Sequence, residues 1–255
     1  MNHILTETKD GIARIEINRP DKKNALTAAM YQAMANAIKA AEADSKVRVV
    51  LIHGKDDLFT AGNDLQDFLD NPPRDDNWPA FRFLYGISQA QKPIVAAVAG
   101  AAVGIGTTML LHCDLVYAAP NSRLQLPFVN LGLVPEAASS LLLPALVGYQ
   151  RAAELLLLGE PFSAQKAKEI GLVTEVVPAD GLFDTAMAQA KKLARLPAAS
   201  LRLTKKLMKQ GQMAAVAQQI KLEASHFAER LASPEAKEAF SAFLEKRKPD
   251  FGRFD

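Results

Sequence analysis

Pro93-Ile94-Val95-Ala96-Ala97-Val98-Ala99-Gly100-Ala101-Ala102-Val103-Gly104-Ile105-Gly106-Thr107-Thr108-Met109-Leu110-Leu111 contains no charged side chain. A run of this kind approaches the length of a membrane span. Its internal order argues for something else. The first half is β-branched, the second is leucine-rich, and glycines 100, 104 and 106 cluster between them. The stretch reads as a strand (Ile94 to Ala99), a tight turn and a buried helix (Gly104 to His112). A strand that turns straight into a helix is the building unit of an α/β protein.

The flanking sequence repeats that theme. Val47 to His53, rich in Val, Leu and Ile, reads as a strand buried on both faces, and Leu115 to Ala119 as another. Near the start, Ile4 to Thr8 and Ile12 to Asn18 flank Asp10-Gly11, a hairpin signal. Thr27 is placed to cap a helix from about Ala28 to Ala43, and Pro79 to Gln91 reads as a second helix. Alternating strands and helices imply right-handed crossovers and a largely parallel sheet. After Pro127 the β signal fades, apart from Leu172 to Val177. From Gly181 to Lys246 the chain reads as nearly all helix, punctuated by Pro197 and Pro234. The expected organisation is an α/β core over residues 1–180 and a helical C-terminal region over 181–255.

Bulk properties narrow the functional classes. The chain has 255 residues, 49% hydrophobic and 23% charged, as a soluble globular protein has. A net charge of +2 makes no general case for nucleic acid or membrane as partner. Cys113 is the single cysteine, so neither an intramolecular disulfide nor a cysteine zinc site can form. His3, His53, His112 and His226 have no ligand or triad spacing. Met1 to Asp10 lacks the apolar core of a secretory signal, and Gly252 to Asp255 carries no retention, peroxisomal or lipidation signal. A cytoplasmic enzyme without metal or redox cofactor is the expectation.

Two segments look chemical. In Leu58-Phe59-Thr60-Ala61-Gly62-Asn63-Asp64-Leu65, a small-glycine pair follows a strand and lets backbone approach a ligand, while Asp64 can cap a short helix. In Ala99 to Thr108, the glycines place free amides at the positive end of a helix, which suits an anion or a developing oxyanion. Each alone is also consistent with ordinary turns and tight packing. The glycine spacing is not the dinucleotide fingerprint.

Taken together and in this order, about 40 residues apart, the two segments resemble those of the crotonase superfamily, the enoyl-CoA hydratases and isomerases. The resemblance extends through Asn18 to Leu26, Cys113-Asp114, Leu131-Gly132-Leu133 and Phe243 to Lys248. It implies a ββα spiral with a helical C-terminal trimerisation region, and a homotrimer or hexamer in solution. It implies that the Asn63 and Ile105 amides form an oxyanion hole for an acyl-CoA thioester. At position 105 glycine is usual, so the isoleucine side chain must point away from the thioester. The coenzyme is expected along Lys22, Lys23, Ala25, Leu26, Ala61, Gly62, Asp64 and Leu65. Phe243 and Lys246 match positions that reach the coenzyme, often from a neighbouring subunit.

The departures from the pattern are informative. Hydratases of this family use two glutamates, and the matching positions here hold Thr108 and Phe128. Neither is a carboxylate, so hydration by that pair is excluded. In Leu131-Gly132-Leu133-Val134-Pro135-Glu136, a glutamate follows a proline just before a helix. By itself this is an ordinary helix start. With the Gly-Asn-Asp-Leu loop, however, it resembles the peroxisomal-type Δ3,Δ2-enoyl-CoA isomerases and their bacterial relatives, where a glutamate here is the base. An isomerase needs one base, and an apolar pocket lined by Phe128, Leu131 and Val134 should raise its pKa. Two alternatives stand beside it: another enolate chemistry (hydratase, lyase or hydrolase) with a differently placed base, and an acyl-CoA-binding protein without catalysis. The segment Asp67 to Trp78 is expected to border the acyl pocket.

Overall fold

Asp10 and Gly11 both adopt left-handed backbone angles, φ 52° and 76°, as a two-residue hairpin turn requires. They join β1 (Ile4–Lys9) to β2 (Ile12–Ile17) as an antiparallel pair. The computed structural model describes residues 3–55, 58–71 and 78–254. Half of the segment expected to border the acyl pocket, residues 72–77, therefore lies outside the described residues. α1 (Ala28–Ala43) begins where Thr27 predicts, with the Thr27 hydroxyl oxygen accepting the Met30 N–H at 3.3 Å. There follow β3 (Val49–Gly54), α2 (Leu65–Asp70), α3 (Pro79–Ser88), β4 (Ile94–Val98), β5 (Ala101–Val103), α4 (Ile105–Thr108), β6 (Leu115–Ala118) and β7 (Arg123–Gln125).

The uncharged run thus resolves into β4, β5 and α4, and among the described residues no helix is long and apolar enough to cross a membrane. The helix expected over Gly104 to His112 is shorter than predicted: α4 tightens into a 3₁₀ turn at Met109–His112.

The large sheet has the order β1-β2-β3-β4-β6-β9, with β9 at Glu175–Val176, and is parallel apart from the opening hairpin. A small sheet has the order β5-β7-β8, with β8 at Phe162–Ser163. Thr60 extends the small sheet by one bridge to Ala102. From β4 to β7 the chain therefore gives one strand to the large sheet and the next to the small one. Two pairs, β4 then β5 and β6 then β7, repeat this step.

The strands' apolar runs have a simple cause: both faces of the large sheet are covered. Val50, Ile52, Ile94, Ala96 and Val98 face the main core with α1 and α3. Their neighbours Val49, Leu51, Val95, Ala97 and Tyr117 face the other way, onto α8 (Leu182–Arg195). α8 meets them with Leu182, Ala186 and Ala190, one residue per turn. The helical C-terminal region so begins with a helix that closes the sheet.

The rest of the chain is α5 (Ser139–Val147), α6 (Tyr149–Ala153), α7 (Ala164–Glu169), α9 (Ala198–Lys209), α10 (Met213–Leu231) and α11 (Pro234–Leu244). α9 is tied down by a buried cation: Lys205 Nζ donates to the Lys92 carbonyl at 2.8 Å and to Asp114 at 2.7 Å. Asp114 also accepts the Ile94 N–H at 2.7 Å, so the charge pair joins the helix to the start of β4. Cys113 is half-buried, and burial pushes its thiol up to about 12.

Candidate active site

Two loops, residues 58–64 and 99–106, lie side by side under three backbone hydrogen bonds. Phe59 N–H donates to Ala99 O at 2.7 Å, Thr60 N–H to Ala101 O at 2.8 Å, and Val103 N–H to Thr60 O at 3.1 Å. The approach is so close that the glycines are obligatory. A Cβ on Gly62, at φ +91°, would lie 2.8 Å from the Val103 carbonyl oxygen. A Cβ on Gly106 would lie 2.7 Å from Thr60 Cγ2.

The other flank of the first loop is held by residues 19–26. Buried Asn24 donates to the Leu58 and Phe59 carbonyls at 2.9 and 3.1 Å, and its Oδ1 accepts the Arg19 N–H at 2.7 Å. Leu26 N–H donates to Gly62 O at 2.8 Å, and Asp64 N–H to Leu26 O at 2.9 Å. In such a parallel bridge the residue between, Asn63, turns its own N–H away from Leu26. Among the described residues that N–H meets no acceptor. Ile105 opens α4, where a first-turn amide has no intrahelical partner, and its N–H also meets none among the described residues. The Ile105 side chain is sunk in the main core.

The Asn63 side chain is fixed from inside. Its Oδ1 accepts the hydroxyl proton of Tyr31, on α1. Tyr31 is buried, its ring 5.8 Å from that of Phe83.

Glu136 is buried, with 8% of its surface exposed. Burial first, and the nearby Glu223 carboxyl second, push its pKa up to about 8. Thr108 Oγ1 lies 3.5 Å from Glu136 Oε1 and works in the opposite direction. The Tyr31 hydroxyl is held well above its ordinary value by burial and then by Glu136. Glu136 thus touches the end of α4 through Thr108 and bears electrostatically on Tyr31, the partner of Asn63.

A cavity of about 620 Å³ opens beside these loops. Ala61, Gly62, Asn63 and Leu65 form one wall, and Phe128 and Leu131 another. Lys22, Lys23 and Ala25 stand at its rim, the two lysines exposed. Asp64 also borders it, but its carboxylate is committed elsewhere. It pairs with Arg19 at 2.6 Å and caps α2 through the Gln66 and Asp67 amides. Although burial opposes this, the Arg19 hydrogen bond and those amides hold the Asp64 carboxyl below its ordinary value.

Other expected residues do not line this cavity. Leu26 is 1% exposed, because the pairing of its backbone with residues 62 and 64 turns its side chain into the core. Lys246 lies past the end of α11 in a left-handed conformation, exposed and outside the cavity wall. Glu136 and Ile105 are not part of the wall either; both are buried. Phe243 does line it, together with Leu244, Phe227 and Phe240, which the sequence reading did not single out. Phe68 adds an aromatic surface backed by Trp78, ring centroids 4.9 Å apart.

Tyr31, Asn24, Arg19 and Glu223 are also contributors that sequence reasoning missed. Only Glu223 left a trace. It interrupts the apolar stripe Val216, Ile220, Phe227 of α10, and a charged residue at such a position must find a buried partner.

Architecture and loops define a crotonase-type acyl-CoA enzyme. The chain belongs to the enoyl-CoA hydratase/isomerase family, whose model matches residues 7–253. A crystal structure of an enoyl-CoA hydratase/isomerase from Pseudoalteromonas atlantica T6c superposes with a TM-score of 0.94 at 42% identity, over 98% of this chain and 100% of that one. The 2,3-dehydroadipyl-CoA hydratase of Escherichia coli strain K12 is 33% identical, covering 98% of this chain and 99% of its own. Enoyl-CoA delta isomerase 2 of Rattus norvegicus is 38% identical over 216 residues, 82% of this chain but 55% of the rat protein. Relatives with hydratase and with isomerase names are thus both similar to this chain.

Proposed function

We propose that the protein is a Δ3,Δ2-enoyl-CoA isomerase in which Glu136 shuttles one proton. The observation that carries this reading is the buried carboxyl of Glu136, with a pKa near 8 and with Thr108 Oγ1 3.5 Å from its Oε1. Glu136 removes a proton from C2 of a 3-enoyl thioester. The electron pair passes into the C1–C2 bond and onto the thioester oxygen, giving a dienolate whose charge the Asn63 and Ile105 amides stabilise. One such preorganised donor is worth about 2.7–4 kcal/mol to a transition state. The same carboxyl returns the proton to C4, and the double bond ends between C2 and C3. No second carboxylate is required, which agrees with Thr108 and Phe128 at the hydratase positions. Phe128 also makes a poor site for an attacking water.

Lys22 and Lys23 at the rim meet the coenzyme's phosphates. Exposed Leu203, Leu207, Met208 and Met213 on and after α9 supply apolar surface for a homotrimer or hexamer. Light scattering at micromolar concentration tests the assembly, and a monomer refutes it. We place the enzyme in the cytoplasm.

The decisive experiment incubates purified protein with 3-enoyl-CoA and 2-enoyl-CoA separately. Isomerisation of the first without hydration of the second is expected, with a loss of roughly 10²–10⁴ in kcat for Glu136→Gln. Undiminished isomerisation by that variant refutes the assignment. Hydration of 2-enoyl-CoA favours the other enolate chemistry, and tight binding without turnover favours a non-catalytic role.

A further inference from the structure

Glu136 is separated from α5 by two residues, Ala137 and Ala138, and both are in the left-handed region, at φ 61° and 56°. Side chains with a Cβ disfavour that region, and two in succession persist only where surrounding contacts impose them. Those contacts can be traced. Glu223, on α10 and 5% exposed, accepts the Ala138 N–H at 2.6 Å and the Ser140 N–H at 3.0 Å. It also accepts the Ser140 hydroxyl, which in turn accepts from Gln219 one turn earlier on α10, at 2.9 Å. On the other side of the turn, His112 Nε2 lies 2.8 Å from the Ala137 carbonyl. Burial lowers the pKa of this imidazole to about 4, so it is neutral at working pH and donates from Nε2.

A helix far along the chain therefore grips the residues immediately after the proposed base. If Glu223 did no more than cap α5, a neutral acceptor would serve. A buried carboxylate beside a second buried carboxyl is costly: burial raises the pKa of Glu223 itself, against the hydrogen bonds from Ser140 and Ala138 that favour its charged form. That charge is the second cause of the raised Glu136 pKa.

We propose that Glu223 is a positioning residue: its carboxylate holds the two-alanine turn that presents Glu136 and sets a negative charge within reach of it. The kinetic part of this inference rests on the isomerase reading; the geometric part does not. The groups that face Glu136 are Tyr31 from α1, Thr108 from α4 and Glu223 from α10. His112 lies on the far side of the turn, with Lys205 and Lys209 of α9 acting on it.

The test compares wild type, Glu223→Gln and Glu223→Ala in 3-enoyl-CoA isomerisation across pH 5–10, with urea unfolding over the same range. For Glu223→Gln the acid limb of kcat/KM is expected to move to lower pH, because the repelling charge is gone. For Glu223→Ala, kcat is expected to fall at least about tenfold with KM within about twofold, since the turn relaxes while the coenzyme contacts stay. An unmoved acid limb and unchanged kcat, with only stability lost, reduce Glu223 to a helix cap and overturn the proposal. Should neither variant fold, Glu223→Asp, which keeps the charge but shortens its reach to the Ala138 and Ser140 N–H groups by one methylene, carries the same measurement. A lowered kcat at constant KM is expected, and an unchanged kcat overturns the proposal.

If wild type fails to isomerise any 3-enoyl-CoA, the functional reading falls while this one remains testable. The pH-dependence of unfolding that Glu136→Gln removes should begin and end at lower pH in the Glu223→Gln background. An identical pH-dependence in both backgrounds refutes the proposal.

Discussion

Replacing Glu136 by Gln should stabilise the folded protein at alkaline pH while impairing turnover. The carboxyl binds its proton more tightly when folded, with a pKa of about 8, than in the unfolded chain, where it has its ordinary value of 4.5. Below pH 4.5 it is protonated in both states and contributes no pH-dependence. Between 4.5 and 8 unfolding releases a proton, so wild-type stability falls as pH rises; above 8 the loss is complete. At roughly 1.4 kcal/mol per pH unit across that window, the loss is on the order of 4–5 kcal/mol. Glutamine has nearly the shape of the protonated acid and cannot ionise, so it escapes the loss. Any fixed cost of fitting its extra N–H is the same at every pH and cancels in the comparison.

Urea unfolding of both proteins at pH 5 and pH 9 reads this directly. The advantage of Glu136→Gln over wild type should grow by several kcal/mol between the two, with the midpoint moving accordingly. In a thermal scan each kcal/mol corresponds to about 2–4 °C for a chain of this size. An advantage of equal size at both pH values would refute the reasoning, because the carboxyl would then not be the group that burial and Glu223 perturb.

Three further outcomes follow from the site. In isomerisation of a 3-enoyl-CoA, kcat/KM should rise about tenfold per pH unit below a limb near pH 8 and level above it, because the base must be ionised; a flat profile from pH 6 to 8 contradicts this. Gly62→Ala forces a left-handed alanine against the Val103 carbonyl and should destabilise the protein by about 2–4 kcal/mol and abolish most turnover, read by unfolding and by assay. Tyr31→Phe leaves Asn63 Oδ1 without its hydroxyl donor; a loss of about 1–3 kcal/mol in stability is expected by denaturant titration, together with a lower kcat.

Much of this architecture is legible in the residues because single positions impose it. Asp10-Gly11 sets the hairpin, Thr27 sets the start of α1, and the charge-free run around Gly104 announces its turn. β7 and β8 escape notice because three and two residues are too few to show a period of two. The helix over 104–112 is over-read because apolar sequence does not distinguish an α turn from the tighter 3₁₀ form that follows it. The cavity wall contributed by the 58–65 loop is visible through its glycine, whereas the contribution of Tyr31 is not. Tyrosine on an apolar helix face reads as core, and its hydroxyl partner comes from another element. Glu223 is hidden for a related reason, since its partners lie more than eighty residues away. Its place within an apolar stripe is the one clue.

The bonds between Thr60 and the strand Ala101–Val103 have a consequence for how such a chain can change. Because each loop sets the position of the other, an insertion or deletion of one residue in either would slip the match and tilt both amides at once. New reactions on this scaffold must therefore come by exchanging side chains around a frozen pair of main-chain donors, at places such as 108, 128 and 136. The frame tolerates a change of acid more readily than a change of length.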